Sequence, residues 1–119
     1  MAVEKDSLAF KTEAAFIGRD HVGAVRQLDG IELSKLISIV RETLLSYRLE
    51  YEEELLASSE LYTCVSRLPF ADNTYLWVKG VQVKVGVVVD VKVIHRTEES
   101  AIADEFLTKF LGMLESKSL

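Results

Sequence analysis

Three consecutive residues carry the chain's densest polar chemistry: Arg19, Asp20 and His21 place a cation, a carboxylate and an imidazole in one turn that begins at Gly18. Loops held by a rigid scaffold often carry functional groups, so one reading of the chain is an enzyme centred on these three. The same residue types populate exposed turns for conformational reasons alone, and exposure is the first expectation. His21 and His95 are the only histidines. Two imidazoles do not make a protein-only zinc site without carboxylate help, and no metal is expected. Cys64, the single cysteine, stands beside Val65, where a thiol behaves as a small buried hydrophobe with a raised pKa. Glu50, Glu52, Glu53 and Glu54 form an acidic run that would steer a basic partner. Tyr75 and Trp77 fall on one face of an extended segment, and aromatic residues are enriched among interface anchors.

The candidate partner-binding residues are therefore Tyr75, Trp77, Val88, Glu50, Glu53 and Glu54, with Arg19, Asp20 and His21 as a polar-turn candidate. No catalytic residue and no cofactor is assigned. The chain has no glycine-rich phosphate loop, G-x-S-x-G elbow, H-E-x-x-H, C-x-x-C or calcium-binding loop.

Composition bounds the rest. A chain of 119 residues with 49% apolar and 28% charged residues is expected to be one α/β domain over 1–119 with a real core. A single cysteine excludes an intramolecular disulfide and suits a reducing, cytoplasmic setting. The first six residues lack the basic and apolar regions of a signal peptide. The most apolar stretch, 81–94, carries Lys84, Asp90 and Lys92 and is too short to cross a bilayer as a helix. A net charge of −5 repels phosphate backbones, so nucleic acid is not an expected partner.

The elements that must position these residues follow from periodicity. Residues 8–17 alternate as a half-buried strand, with a helix as the competing reading because Ala, Glu and Lys favour helix. After the Gly18 turn, 22–28 reads as the return strand of a hairpin. Asp29 and Glu32 resemble a capping box, and Leu33, Leu36, Ile37, Val40, Leu44, Tyr47, Tyr51 and Leu55 make an apolar stripe that predicts one long helix to about Ala57. Residues 61–68 read as a strand closed by Pro69, and 75–78 as a short strand. Lys79-Gly80 reads as a hairpin loop into one long strand, 81–94, with Val81, Val83, Val85, Val87, Val89, Val91 and Val93 on the core face and Val88 on the wetter one. Thr97, Glu98 and Glu99 open a last helix through Ile102, Phe106, Phe110 and Leu114.

The expected fold is α+β: a mostly antiparallel sheet of about five strands with one long and one C-terminal helix, in the order ββαβββα. That order resembles the longin and roadblock class of small scaffolds, which pair into dimers. The likeness concerns element order alone and transfers neither residues nor activity. The function expected is a non-catalytic protein-interaction module, an adaptor or assembly subunit, acting as a homodimer. The alternatives are a small-ligand-binding or regulatory domain and the enzyme at Arg19, Asp20 and His21. The dimer expectation rests on strand lengths: a strand of some 14 residues beside one of four would leave most of its ladder open.

Overall fold

Alternating apolar residues build one sheet, seen in a computed structural model that describes residues 7–119. Its strands are β1 (His21–Asp29), β2 (Tyr51–Leu56), β3 (Leu61–Arg67), β4 (Tyr75–Val83) and β5 (Gly86–Ile94), antiparallel throughout in the order β1-β5-β4-β3-β2. Helices α1 (Leu8–Phe16), α2 (Leu33–Ser46) and α3 (Ser100–Ser118) complete the fold. The α+β expectation, with five antiparallel strands and a C-terminal helix, holds. The expectation that residues 1–6 form no leader lies outside the described residues.

One face of the sheet carries Leu28, Cys64, Leu76, Val78, Val87, Val89, Val91 and Val93, all buried against α2 and α3. Leu36, Val40 and Leu44 from α2, with Phe110 and Leu114 from α3, close that core. The opposite, outer face is covered on one side only. There α1 buries Ala9 and Thr12 toward β2 and β3, and the Phe16 ring meets Tyr75 at 5.2 Å and Trp77 at 5.6 Å. No helix among the described residues is long and apolar enough to cross a membrane.

Three elements differ from the sequence expectation. The first segment is a helix, so no N-terminal hairpin forms. Its nucleus is Ser7, whose hydroxyl accepts the Phe10 N–H at 3.1 Å and supplies the cap that a strand reading ignores. The strand expected at 22–28 exists as β1, but it pairs with β5 along its whole length, from His21 opposite Ile94 to Asp29 opposite Gly86.

The long helix is shorter at both ends. It begins at Leu33, whose N–H is capped by Gln82 Oε1 at 2.6 Å, while Asp29 accepts from Gln27 instead of closing a capping box. It stops at Ser46 because Arg48 takes a left-handed conformation, φ 58°, and the Leu49 N–H returns to the Leu44 carbonyl at 3.0 Å. This is a Schellman stop with arginine at the position that glycine usually holds. Tyr51 and Leu55, read as a continuation of the helical stripe, lie on β2.

The valine-rich run is two strands. Lys84 and Val85 turn the chain between Val83 and Gly86, so Val81 faces Val88 across a β4–β5 hairpin. Odd-numbered residues face outward before the turn and inward after it, which is why Val81 and Val83 lie outside and Val87 to Val93 inside. With β4 nine residues long and β1 on its other side, β5 has no open ladder. The strand-length case for a second copy is thereby removed, and among the described residues the open edges of the sheet are β1 and β2.

Candidate functional site

The two edges differ in chemistry. On β2 the residues Glu52, Glu53 and Glu54 guard the edge with charge, as natural edge strands commonly do. The acidic run expected on a helix face is thus divided between the two faces of a strand. Glu54 Oε1 accepts the Leu8 N–H at 2.9 Å, on the side of α1. Glu53 points to the other side, where Arg41 Nε donates to Oε1 at 2.8 Å and Tyr62 Oη donates to Oε2 at 2.6 Å. Glu50 is exposed, and its carbonyl accepts from Ser66.

Burial acts to raise the Glu53 pKa, but the hydrogen bonds from Arg41 and Tyr62 outweigh it and hold the carboxyl below its ordinary value. A depressed folded-state pKa stabilises the fold above the unfolded-state value, and that contribution is lost as pH falls through the folded one. Glu53→Gln is therefore expected to lower stability at neutral pH and to flatten its fall on acidification. Urea midpoints for both proteins from about pH 7 to about pH 3 check this, and parallel curves would refute it. Burial pushes the neighbouring Tyr62 hydroxyl up and the Cys64 thiol up to about 12, so Cys64 stays a protonated core residue at neutral pH.

The polar turn does not converge. Arg19 Nη2 donates to the Asn73 carbonyl at 2.6 Å, and Asp20 Oδ2 accepts from Thr97 at 2.5 Å. His21 Nδ1 lies 3.3 Å from the Arg19 carbonyl. The side chains tie the turn to two other loops and meet at no shared point. Register places His21 opposite Ile94, and His95 follows Ile94 with its side chain on the other face. Among the described residues no group of three His, Cys, Asp or Glu could hold a metal.

Arg19 and His21 do meet the aromatic candidates. With Phe16, Trp77, Lys79 and Lys92 they line a recess at the end of α1. Trp77 is only 6% exposed beneath Phe16, and the ammonium groups of Lys79 and Lys92 stand 5.1 and 5.3 Å from its ring. Its Nε1 is buried without a hydrogen-bond partner among the described residues. The two lysines were missed in the sequence, although alternation from Trp77 to Lys79 was the available signal. Tyr75 is half-buried against Phe16.

Beyond α1 no described element covers the outer face. Val25 is 59% exposed, Val85 at the hairpin tip is 58% exposed, and Val81 and Val88 face each other with side chains partly in solvent. This bare half adjoins β1, whose edge carries only Arg26 and Asp29 as permanent charges. Hydrogen bonds Asp20 C=O to His95 N–H and Gly30 N–H to Val85 C=O fix the ladder's parity. Val22, Ala24, Arg26 and Leu28 bond to β5, so the N–H and C=O groups of His21, Gly23, Val25, Gln27 and Asp29 point away from the sheet.

On the helix side, Tyr47, Leu49, Leu68, Phe70, Ile102 and Phe106 line an apolar groove of about 330 Å³. Its charged groups, Glu105 and Lys109, are bonded to each other at 3.1 Å.

Compared with protein-family models, with curated proteins and with solved structures, the chain finds no match, and the meaning of these surfaces rests on their geometry.

Proposed function

We propose that this chain is a non-catalytic protein-interaction module, an adaptor or assembly subunit, that works as a homodimer. The observation that carries the reading is the contrast between the two edges of one sheet. The β2 edge is guarded by three consecutive glutamates, whereas the nine residues of β1 leave a regular row of main-chain donors and acceptors open beside exposed valines. An edge of this kind is a template for another strand. Two-fold association is the common way to satisfy it, because one patch then serves both partners.

The alternatives are less well supported by geometry. A small-ligand site needs a few convergent polar groups, and those beside the Phe106 groove are bonded to each other. An enzyme at Arg19, Asp20 and His21 needs side chains aimed at one reacting atom, and these diverge. Sedimentation equilibrium at micromolar concentration tests the reading: the expected mass is that of two chains, and one chain at every concentration would reject it.

A further inference from the structure

We infer that a second copy adds its β1 to β1 in antiparallel fashion, on a two-fold axis through Val25, to make one continuous ten-strand sheet. This inference rests on the homodimer reading and specifies its contact.

The axis follows from parity and symmetry. In a two-fold antiparallel pair, outward-facing residues must oppose outward-facing residues, which places the axis at a residue of β1 and not between two residues. His21, Gly23, Val25, Gln27 and Asp29 are the outward set, and Val25 is its centre. An axis there pairs every member: Val25 with Val25, Gly23 with Gln27, and His21 with Asp29 of the second copy. It forms about ten main-chain hydrogen bonds, two for each facing pair. An axis at Ala24 or Arg26 leaves one member beyond the paired set, and an axis at Gly23 or Gln27 leaves two.

Side chains agree with that register. The end pairs place an imidazole opposite a carboxylate on each side of the axis, a complementary rather than a like-charge contact. On the helix side, Val22 falls opposite Leu28, and Ala24 opposite Arg26. Arg26 is held back from the edge by Glu115 on α3, its Nε donating to Oε1 at 2.9 Å. Its Nη1 donates to the Val25 carbonyl at 3.0 Å, and that oxygen keeps a second lone pair for the partner's N–H. On the outer side, the two exposed Val25 side chains meet at the centre and join the bare halves of both sheets.

Parity also supplies the test. The Val25 N–H is not used by any described residue of the chain, so Val25→Pro removes a hydrogen bond only from the dimer, as proline on an open edge allows. Expected results are a native circular dichroism spectrum, association weakened at least about tenfold in sedimentation equilibrium, and a parent that sediments as two chains. In the otherwise unchanged chain, Val25→Cys is expected to form a covalent dimer on mild oxidation, since facing residues of a hydrogen-bonded pair lie about 5.5 Å apart at Cα, within disulfide reach. Cys64 is buried and does not compete. Val88→Glu, one strand inward, is expected to leave association unchanged. If Val25→Pro fails to fold, the Val25→Cys cross-link decides. A dimer that Val88→Glu abolishes and Val25→Cys does not cross-link would place the contact on the outer face, overturning this inference while the homodimer reading stands. A parent that remains one chain overturns both.

Discussion

Leu44→Ala is expected to cost about 2 to 5 kcal/mol of stability, among the largest effects of any single truncation in the chain. Leu44 is fully buried at the C-terminal end of the α2 stripe, packed in the cluster that joins α2 to the sheet and α3. It also anchors the helix stop. Its carbonyl accepts the Leu49 N–H, and Leu49 packs back against the core, so truncation opens a cavity where the chain leaves the helix for β2. The loss is a large share of a domain's marginal total. Urea denaturation checks it, and a midpoint within error of the parent would mean that the stripe faces elsewhere.

Gly86→Ala is expected to destabilise by about 3 kcal/mol, at the upper end for added volume in a packed site. A Cβ there would fall on the Leu28 carbonyl oxygen, with Asp29 Cα at 2.8 Å and the Leu28 carbonyl carbon at 2.9 Å. These are main-chain atoms and cannot swing aside, so β1 must separate from the start of β5. Gly112→Ala is the control of opposite sign. Its Cβ would point into open space on α3, and alanine gains up to about 1 kcal/mol over glycine inside a helix. Thermal melts of the two variants should move in opposite directions; a neutral Gly86→Ala would contradict the β1–β5 register.

Where a segment's local signals agreed, its sequence could be read correctly. Val22 to Leu28, after the turn cluster, lies in β1; the run from Leu61, rich in Tyr, Thr, Cys and Val before Pro69, is a strand as far as Arg67; and the stripe from Leu33 to Leu44 is a helix. The errors arose where local periodicity was ambiguous and a single backbone position decided. Tyr47, Tyr51 and Leu55 keep a four-residue spacing across Arg48, whose left-handed conformation ends the helix without the glycine that would announce it. The glutamates of β2 have poor strand propensity and hold their place through Arg41, Tyr62 and the start of α1. The turn at Lys84 and Val85 lacks an Asn-Gly or Asp-Gly signal, and valine continues on both sides of it, so alternation ran through the reversal unnoticed.

The candidate surface was legible only in pieces. Arg19 and His21 were read as one turn and Trp77 as part of a separate strand, and their meeting at one recess depends on β1 pairing with β5, a contact across some 70 residues of sequence. The open β1 edge was hidden for a different reason. Which strand lies at the rim is a property of sheet order, and no residue in 21–29 declares it.

Amide hydrogen exchange along β1, followed by NMR over a range of protein concentrations, tests the central claim most directly. At high concentration the N–H groups of the outward set His21, Gly23, Val25, Gln27 and Asp29 are expected to be protected, and on dilution these should open, the central Gly23, Val25 and Gln27 most clearly, while Val22, Ala24, Arg26 and Leu28 stay protected through β5. Free exchange of Gly23, Val25 and Gln27 at every concentration, beside protected even-numbered neighbours, would contradict a dimer built on this edge.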